Sequence, residues 1–496
     1  MTRLTPPEAI TVTREQLADA VSAQLARGLR LALVAGHEDG PDRFRIVQVF
    51  LGTAGERVEL VVEIPRPDAW LPTLAGISYP AGRFERELRD LYGIVPRDHP
   101  QPYRLVRHGH WPTGYHPMLS DADPAADFGS NTGFPFAEVT GKGVYEIPVG
   151  PVHAGLIEPG HFRFSVVGET IVRMYQRLYF VHRGVEKLFE GRRAVDGVRL
   201  AERISGDTAV GHSLAYAMAV EDALGLPVAE RDRLVRALLL ELERLYNHVN
   251  DLGAIVNDTG FGIVNQHAGR LRETLLRHNA RLTGHRLLRG AIRIGGADLL
   301  APPEPDLIAA VAAEVADLAR IATDHPMVAN RLNTTAVLRP ERAAEIGVLG
   351  YVARACGLTV DARADQPFVD LGDRFRVVTA NDGDVRARFD VRVGEVEVSA
   401  ALIADLAGRI AGLDAASPAP APEATPGAGL GVVEAWRGTL VHRVELNASG
   451  VLTRVKVVDP SFATWPALGI ALADTIVPDF PLANKSFNMS YAGNDL

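Results

Sequence analysis

The sequence predicts an α+β protein in which a small mixed domain precedes a larger, mainly helical one. The chain has 496 residues, which is too long for one ordinary hydrophobic core. Strand-like segments dominate the first part, whereas a helical period prevails after about residue 212. Apolar residues make up 47% of the chain and charged residues 23%, as is typical of folded globular proteins. We therefore expect at least two packed units.

The first unit is predicted over residues 1–117. It contains an amphipathic helix, "REQLADAVSAQLARG", which ends at a glycine, and a later helix, "RFERELRDLYGI", which closes on Gly93. Three strands are predicted between them: "LRLALVAGHEDG", "RFRIVQVFLG" and "RVELVVEIP". Residues 118–144 are rich in Pro, Asp, Gly and Ser without a period, which predicts a linker.

The second unit is predicted over residues 145–496. It opens with a hairpin in "HFRFSVVGETIVRMYQRLYF", which turns at Gly168 and Glu169, and continues as helices over 212–291. Further predicted segments are helices over 267–288, 304–323, 340–356 and 384–411, a mobile Ala/Pro-rich loop over 414–430, a β-hairpin in "GVVEAWRGTLVHRVEL" and "LTRVKVVD", and a loop-rich tail.

Charge and composition exclude several classes of protein. The formal charge of −9, without a basic run, argues against nucleic-acid binding. No apolar run reaches the roughly 18 residues that span a bilayer, and the first twenty residues lack the apolar core of a secretory signal, so we expect neither a membrane span nor a signal. The single cysteine, Cys356, excludes disulfides within the chain; a buried apolar role is favoured over a reactive thiol.

Two segments carry residues suited to chemistry. "GPVHAGLIEPGHFRF" (150–164) combines two His and a Glu in a turn-rich stretch, and "LYFVHRGVEKLFEGR" (178–192) is densely charged. On residue types alone, structural turn residues and a solvated helix face are the favoured interpretations of these two segments. The sequence has no phosphate-binding glycine loop, nucleophile elbow or HExxH motif, so hydrolase chemistry has little support.

Two hydroxyl pairs share a spacing that is usual for metal ligands. Ser205 and Thr208 lie in "RISGDTAVGHS", and Ser461 and Thr464 lie in "DPSFATW". Protonated hydroxyls are hard, weak ligands for soft metals, in contrast to thiolates. Spacing alone leaves open whether these are relics of a metal site or ordinary loop residues.

Several motifs together resemble a known superfamily. "GPVHAGLIEPGHFRF", "VHRGVEKLFEGR", "SGDTAVGHSLAYAMAVEDALG" and "DGDVRARFDVRVGEVEVS" are similar to segments of the large subunit of NiFe hydrogenases and of the 49-kilodalton quinone-site subunit of respiratory complex I. "FERELRDLYGIVPRDHPQPYRLVRHGHWP" resembles the 30-kilodalton subunit of complex I. The order matches the fused large subunit of formate-hydrogenlyase-type hydrogenases. The resemblance implies an N-terminal small α+β domain fused to a mainly helical NiFe-hydrogenase-large-subunit-like domain with peripheral β-hairpins.

The resemblance also gives the hydroxyl pairs a meaning. Ser205 and Thr208 stand where active NiFe hydrogenases carry one Cys-x-x-Cys pair, and Ser461 and Thr464 stand at the second pair. With all four thiolates absent, we expect no metal in this chain and no NiFe centre. The chain also continues through "WPALGIALADTIVPDFPLANKSFNMSYAGNDL", which resembles the uncut end of complex I-type subunits.

The resemblance implies a redox pocket at a subunit interface. His161 matches a complex I histidine near the quinone headgroup, and Glu158 matches a hydrogenase glutamate on a proton route, with Asp207 as a second carboxylate. Ser205, Thr208, Arg437, Ser461 and Thr464 would line the pocket, and Arg203 would face the electron-donating cluster. Arg437 matches the arginine of a Pro-Arg-Gly turn, in which Trp436 here replaces proline.

Three readings follow from the resemblance. The chain would be a subunit of a complex I-like oxidoreductase without nickel, a coupling or scaffold subunit without its own redox substrate, or a hydrogenase with unusual ligands. The expected partners are a small iron–sulfur subunit and antiporter-like membrane subunits, on the cytoplasmic face of the cell membrane. No cofactor is expected in this chain itself; the iron–sulfur cluster belongs to the partner, and a quinone is one candidate acceptor.

Overall fold

The computed structural model describes residues 8–130, 133–414 and 426–496 and confirms the α+β class. The first part of the chain contains β1 (Glu8–Thr11), α1 (Leu17–Ala26), β2 (Arg30–Glu38), β3 (Arg43–Leu51), β4 (Arg57–Pro65), β5 (Trp70–Pro72), α2 (Tyr79–Tyr92) and β6 (Val95–Arg97).

The N-terminal sheet has the strand order β1-β4-β3-β2. The predicted strands β2, β3 and β4 pair antiparallel, and the short β1, which the sequence pattern did not indicate, adds in parallel to β4. Helix α2 lies close to β2 because Gly36 has no side chain; a Cβ there would lie 2.9 Å from Leu88 Cδ2. The sheet and its helices therefore share one apolar core.

Helix α2 starts earlier than predicted because its start signals lie upstream of the charged segment. The Ser78 hydroxyl accepts a hydrogen bond from the Ala81 N–H, and Pro80 occupies the first turn. Gly93, with φ of +79°, ends the helix as predicted.

The described residues between β6 and β7 (Val144–Val149) form neither helix nor strand. This stretch covers the predicted linker over 118–144 except for its last residue, Val144, which begins β7. The exact domain boundaries remain a prediction.

The remaining chain is mainly helical. After β7 it contains β8 (His161–Val167), β9 (Thr170–Arg177), α3 (Val185–Phe189), α4 (Ala194–Ala201), α5 (Ala209–Leu224), α6 (Glu230–Asn257), α7 (Gly262–Thr283), β10 (Ile292–Arg293), β11 (Gly296–Ala297), α8 (Pro305–Asp324), α9 (Pro326–Leu332), α10 (Pro340–Ile346), α11 (Gly350–Ala355), α12 (Ala362–Asp365), α13 (Val385–Ala411), β12 (Gly427–Ala435), β13 (Gly438–Leu446), β14 (Leu452–Val458), α14 (Pro460–Ala471), α15 (Phe480–Phe487) and α16 (Tyr491–Asp495). Among the described helices, none is long and apolar enough to cross a membrane.

Glycines explain two departures from the predicted helices. The helix predicted over 340–356 is two helices, because Gly347 and Gly350 adopt φ of +77° and +66°. The helix predicted over 267–288 begins at Gly262 and ends at Thr283, before Gly284 with φ of +83°. The predictions for 304–323 and 384–411 agree with α8 and α13 to within one residue at each end.

The last part of the chain differs most from its prediction. The two segments of the predicted hairpin pair as β13 and β14, but the first of them, "GVVEAWRGTLVHRVEL", is itself two antiparallel strands, β12 and β13, with a turn between them. The predicted loop over 414–430 lies largely outside the described residues, and its end, from Gly427, is part of β12. The tail is not loop-rich: α14, α15 and α16 form there, and the side chains of Asp459 and Ser490 cap α14 and α16.

Helix α5 rests directly on strand β12. Three alternate residues of that strand are glycines, and a Cβ at Gly427, Gly429 or Gly431 would lie 2.4, 2.2 or 1.8 Å from the carbonyl oxygens of Ala223, Ala219 and Ala215. No larger residue fits at these three positions, so the helix and the strand touch backbone to backbone. We call this pair the α5–β12 unit.

A cluster of buried charges ties α6 to α13 and β12. Arg354, fully buried, contacts Glu395 at 2.8 Å, Glu434 at 2.7 Å and Asp361 at 3.4 Å. Arg244, Arg363, Glu241 and His248 extend the cluster through further ion pairs. A charge inside the protein is tolerated only when it is paired, so these residues depend on one another.

Buried ion pairs also join the N-terminal sheet and α2 to β13 and β14. Lys456 contacts Glu87 at 2.7 Å, and Arg443 contacts Glu59 at 3.1 Å. The first part of the chain is thus packed against the second rather than tethered to it.

Candidate functional site

The two hydroxyl pairs meet in the folded chain. Ser205 and Thr208 precede α5, while Ser461 and Thr464 lie in the first turn of α14. Ser490 connects the pairs: its Oγ lies 2.9 Å from Ser205 Oγ, and its backbone N–H donates to Ser461 Oγ at 2.9 Å. We call these five residues the hydroxyl cluster. The two turns that contain the pairs therefore lie on the same site, as the resemblance implied.

Each hydroxyl of the two pairs already has a protein partner. Ser205 and Thr208 donate to Asp207 Oδ1 at 3.0 and 3.1 Å, and Thr464 Oγ1 accepts from the Leu349 N–H at 3.2 Å. The four side chains are at most 2% exposed. A metal at this position would have to break these contacts and bind to neutral hydroxyls, so the residues present do not fit a nickel–iron centre.

A charged pair forms the edge of the hydroxyl cluster. Arg437 donates from its two terminal nitrogens, Nη1 and Nη2, to the carboxylate of Asp207 at 2.6 and 2.7 Å, and from Nε to the Asn488 carbonyl at 2.6 Å. Burial raises the pKa of Asp207, but the Arg437 guanidinium outweighs this effect and holds the pKa below its ordinary value. The Asp207 side chain is 39% exposed, whereas Arg437 is buried. Asp207 is therefore a negative charge that solvent can reach.

A turn forms at Trp436 and Arg437 although Trp436 stands where the family's Pro-Arg-Gly turn has a proline. Trp436 and Arg437 form a two-residue turn between the paired residues Ala435 and Gly438. The indole N–H donates to the Asp207 carbonyl at 3.0 Å and to Thr208 Oγ1 at 3.1 Å. Trp436 thus helps to hold Asp207 and Thr208 in place.

Behind the hydroxyl cluster lies a carboxyl group that sequence reasoning missed. Glu243, on α6, accepts hydrogen bonds from the N–H groups of Val210 and Gly211 at 2.7 and 2.9 Å. Burial raises the pKa of Glu243 to about 8, although these two hydrogen bonds act against the rise. Its position within a long apolar helix gave no sequence signal. Glu243 is therefore a buried carboxyl group near Asp207 whose pKa lies well above its ordinary value.

A buried histidine pair supports the far side of the cluster. His212 Nε2 lies 3.2 Å from Asp459 Oδ2, and His212 Nδ1 lies 3.1 Å from His442 Nε2. Burial holds the pKa of His442 well below its ordinary value, so His442 is neutral. Asp459 in turn caps the helix that carries Ser461.

Glu158 and His161 point to different places. Glu158, exposed on the predicted loop, accepts from the Ala492 N–H at 3.0 Å, so this loop lies against the tail next to Ser490. His161, at the start of β8, donates to the Gly150 carbonyl at 3.2 Å and lies 5.5 Å from the Phe136 ring. His161 lines a separate cavity of about 590 Å³ with arginines and aromatic residues. The structure therefore places Glu158, but not His161, beside the hydroxyl cluster.

Arg203 and Cys356 lie outside the cluster. The Arg203 guanidinium is about half exposed and donates to the Arg199 carbonyl at 2.6 Å. The Cys356 thiol is buried, and burial raises its pKa to about 11, in line with the predicted apolar role. In the part of the chain that the structure describes, no group of three or more His, Cys, Asp or Glu side chains could hold a metal ion.

The chain matches three families along its length. Residues 8–127 match the respiratory-chain NADH dehydrogenase 30 Kd subunit, residues 183–251 match nickel-dependent hydrogenases, and residues 258–424 match the respiratory-chain NADH dehydrogenase 49 Kd subunit. Formate hydrogenlyase subunit 5 of Escherichia coli K12 is 34% identical over 83% of this chain and 74% of its own length. The chain belongs to the family of fused large subunits of complex I-like and membrane-bound hydrogenase complexes.

Other relatives extend this picture. Hydrogenase-4 component G of Escherichia coli K12 is 34% identical over 83% of this large subunit and 73% of its own length. The carbon monoxide-induced hydrogenase of Rhodospirillum rubrum is 29% identical over 69% of this large subunit and 97% of its own length. A solved chain of the archaeal membrane-bound sulfane sulfur reductase superposes with a TM-score of 0.66 and 25% identity, covering 72% of this large subunit and 99% of the solved chain. The proteins similar to this chain thus include hydrogenase subunits and a chain of a complex that is not named as a hydrogenase.

Glu243 makes the stability of this large subunit depend on pH. With a pKa of about 8 in the folded chain against an ordinary value of 4.5, the folded state holds one proton more than the unfolded state between these values. The contribution of Glu243 to stability is therefore complete below pH 4.5 and falls as the pH rises to 8, at up to about 1.4 kcal/mol per pH unit. We expect Glu243→Gln to gain stability relative to the wild type from pH 5 to pH 8 in urea unfolding. Glu341→Gln, at an exposed glutamate, is the control and should follow the wild type. Parallel curves for Glu243→Gln and the wild type would contradict this expectation.

Proposed function

We propose that this large subunit serves a membrane-associated, complex I-like oxidoreductase that works without a nickel–iron centre. Electrons would arrive from an iron–sulfur cluster in a small partner subunit and pass to a quinone-like or other organic acceptor. Antiporter-like membrane subunits would complete the assembly on the cytoplasmic face of the membrane. The chain's place among large subunits of such complexes supports the general role.

The closed hydroxyl cluster carries this proposal. The four positions that would hold thiolates hold Ser and Thr, and Ser490 bridges the two pairs by hydrogen bonds. The chain contains one cysteine, which is buried away from the cluster. Since nickel and iron of this type require anionic sulfur ligands, the chemistry of this donor set favours a reaction at an organic acceptor.

The exposed edge of Asp207 is the place where an acceptor would meet the chain. Reduction of a quinone to a quinol takes up two electrons, which the partner's cluster would supply, and two protons. Asp207, held ionised by Arg437, would orient the acceptor by accepting a hydrogen bond; Glu243 would supply one of the two protons, and solvent at the exposed Asp207 edge the other. Glu158 extends the same edge through its contact with Ala492. The ring of His161 lines the separate cavity and not this edge, so its expected role beside a quinone headgroup remains a prediction.

The burial of the two hydroxyl pairs favours a second function, that of a coupling or scaffold subunit. Side chains that are at most 2% exposed touch no acceptor directly. A coupling or scaffold subunit without its own redox substrate would need no more access than this. A hydrogenase with unusual ligands is the third reading, and it would require nickel at these positions.

Metal analysis and acceptor turnover together test the proposal. In the complete complex, purified from a host with intact hydrogenase maturation, we expect iron from the partner's cluster and no stoichiometric nickel. We also expect a quinone analogue to be reduced when an artificial donor supplies electrons. Stoichiometric nickel would support the hydrogenase reading, and a nickel-free complex without acceptor turnover would support the scaffold. As a control, the isolated chain should show no iron–sulfur absorbance and no turnover.

A further inference from the structure

A positively charged cavity lies beside strands β8 and β9, away from the hydroxyl cluster. It has a volume of about 590 Å³, within the range of small-molecule sites. Five arginines and two histidines line it, together with four aromatic residues, and none of its described lining residues is Asp or Glu: Arg89, Arg104, Arg107, Arg163, Arg177, His108, His161, Tyr103, Phe134, Phe136 and Phe180. In a chain with a net charge of −9, this concentration of positive charge is unusual.

The arginines are not neutralised by carboxylates. Of the five, only Arg163 has an ion pair among the described residues, with Glu146 at 3.5 Å. Arg177 donates instead to the carbonyls of Arg104, Leu105 and Arg107 at 2.6–3.2 Å. The nearby carboxylate of Asp90 accepts from the N–H groups of Leu105, Val106 and Arg107 at 2.8–3.1 Å. The cavity therefore keeps most of its positive charge.

The buried guanidinium of Arg107 has an N–H donor without a hydrogen-bond partner among the described residues. It is 6% exposed and lines the cavity, one of its guanidinium nitrogens donates to the Pro112 carbonyl, and its Nε finds no partner among the described residues. A guanidinium carries five N–H donors, and leaving a buried donor without a partner is unfavourable. An anion in the cavity would remove this cost.

We propose that this cavity binds a small phosphorylated anion, held by the guanidinium groups of Arg89, Arg104, Arg107 and Arg163. Phosphoryl groups match the planar fork of arginine and carry enough negative charge for several guanidiniums. The volume exceeds the need of an inorganic ion, and the aromatic walls of Tyr103, Phe134, Phe136 and Phe180 suit an organic part. The phosphoryl group could belong to a free metabolite or to a phospholipid headgroup, and both present the same chemistry to the arginines.

Binding to the purified full-length chain tests this inference without any need for turnover, so its result is independent of the proposed redox function. Calorimetry with pyrophosphate probes a free anion, and co-sedimentation with phosphatidylglycerol vesicles probes a headgroup. We expect one of the two probes to bind, and Arg163→Gln and Arg89→Gln each to weaken its binding by about tenfold or more. Both side chains are partly exposed, so the fold should tolerate the changes.

Arg173→Gln is the matched control, because Arg173 lies on the neighbouring strand β9 and contacts the Tyr175 ring rather than the cavity. It should leave binding unchanged. Absence of binding by both probes, or equal weakening by all three variants, would overturn the proposal. A third outcome would also overturn the proposal: a probe that binds the isolated chain but not the assembled complex. In that case the cavity would be occupied by an acidic segment of a partner subunit.

Discussion

Replacing Arg437 with methionine will lower acceptor turnover of the assembled complex on the order of 100-fold, if the Asp207 edge is the reaction site. The change removes the bidentate partner of Asp207 and the hydrogen bond to the Asn488 carbonyl. Without the guanidinium, the effect of burial is no longer offset, so the pKa of Asp207 rises and any loss of its charge is greatest at the acid end of the pH range. The turnover that remains should therefore recover as the pH rises. Steady-state assays from pH 6 to pH 9 measure both effects.

Two further variants separate the chemistry from the structure. Arg437→Lys keeps a positive charge beside Asp207 and should restore part of the turnover and the wild-type pH profile. Arg193→Met removes an arginine from an exposed bidentate pair with Asp196, at 2.9 and 3.1 Å, and should change nothing. Full turnover of Arg437→Met in an intact complex would exclude the Asp207 edge from the reaction.

Replacing Arg354 with methionine will destabilise the chain by about 3–5 kcal/mol. The fully buried guanidinium contacts Glu395, Glu434 and Asp361, and its loss leaves buried carboxylates without their counter-ion. Guanidinium chloride unfolding of the full chain, followed by tryptophan fluorescence, should show an earlier midpoint or a failure to fold.

The control for Arg354→Met is the loss of a more exposed ion pair on α13. Arg386 and Asp390 lie four residues apart on α13 with 2.7 Å between Nε and Oδ2, and Arg386→Met should cost less than about 1 kcal/mol. A loss below about 1 kcal/mol for Arg354→Met as well would show that the buried cluster re-forms without it.

The sequence predicts those parts of the fold that depend on local signals. The strands β2, β3 and β4 and the hairpin of β8 and β9 follow from alternating apolar residues between turns, and α13 follows from its helical period and the cap at Asp384. The prediction of a loop-rich tail is wrong because the helices there are short and depend on packing against the rest of the chain, which no local pattern shows. Helices of this length gain their stability from tertiary contacts.

The candidate site is predictable only in part. The meeting of Ser205 with Ser461 follows from the resemblance, because two distant motifs have to surround one pocket. The closing residue, Ser490, could not be foreseen, since an isolated serine in a tail carries no signal. Glu243 could not be foreseen either, because its pKa is raised by burial against the start of α5 and not by its neighbours in sequence. His161 did have a sequence signal, but a motif match does not determine the direction in which a side chain points.

The α5–β12 unit gives one part of the site a backbone-to-backbone contact that the rest of the site lacks. With no side chains between helix and strand, there is nothing in this contact to repack, so Thr208 at the start of α5 and the Trp436–Arg437 turn at the end of β12 are held together at one end of the unit. Ser461 and Ser490 belong to the tail instead. Opening the site would therefore mean separating these two parts, which are joined by hydrogen bonds from Ser205 to Ser490, from Arg437 to the Asn488 carbonyl and from His212 to Asp459. A partner protein that displaced the tail would have to break these three contacts.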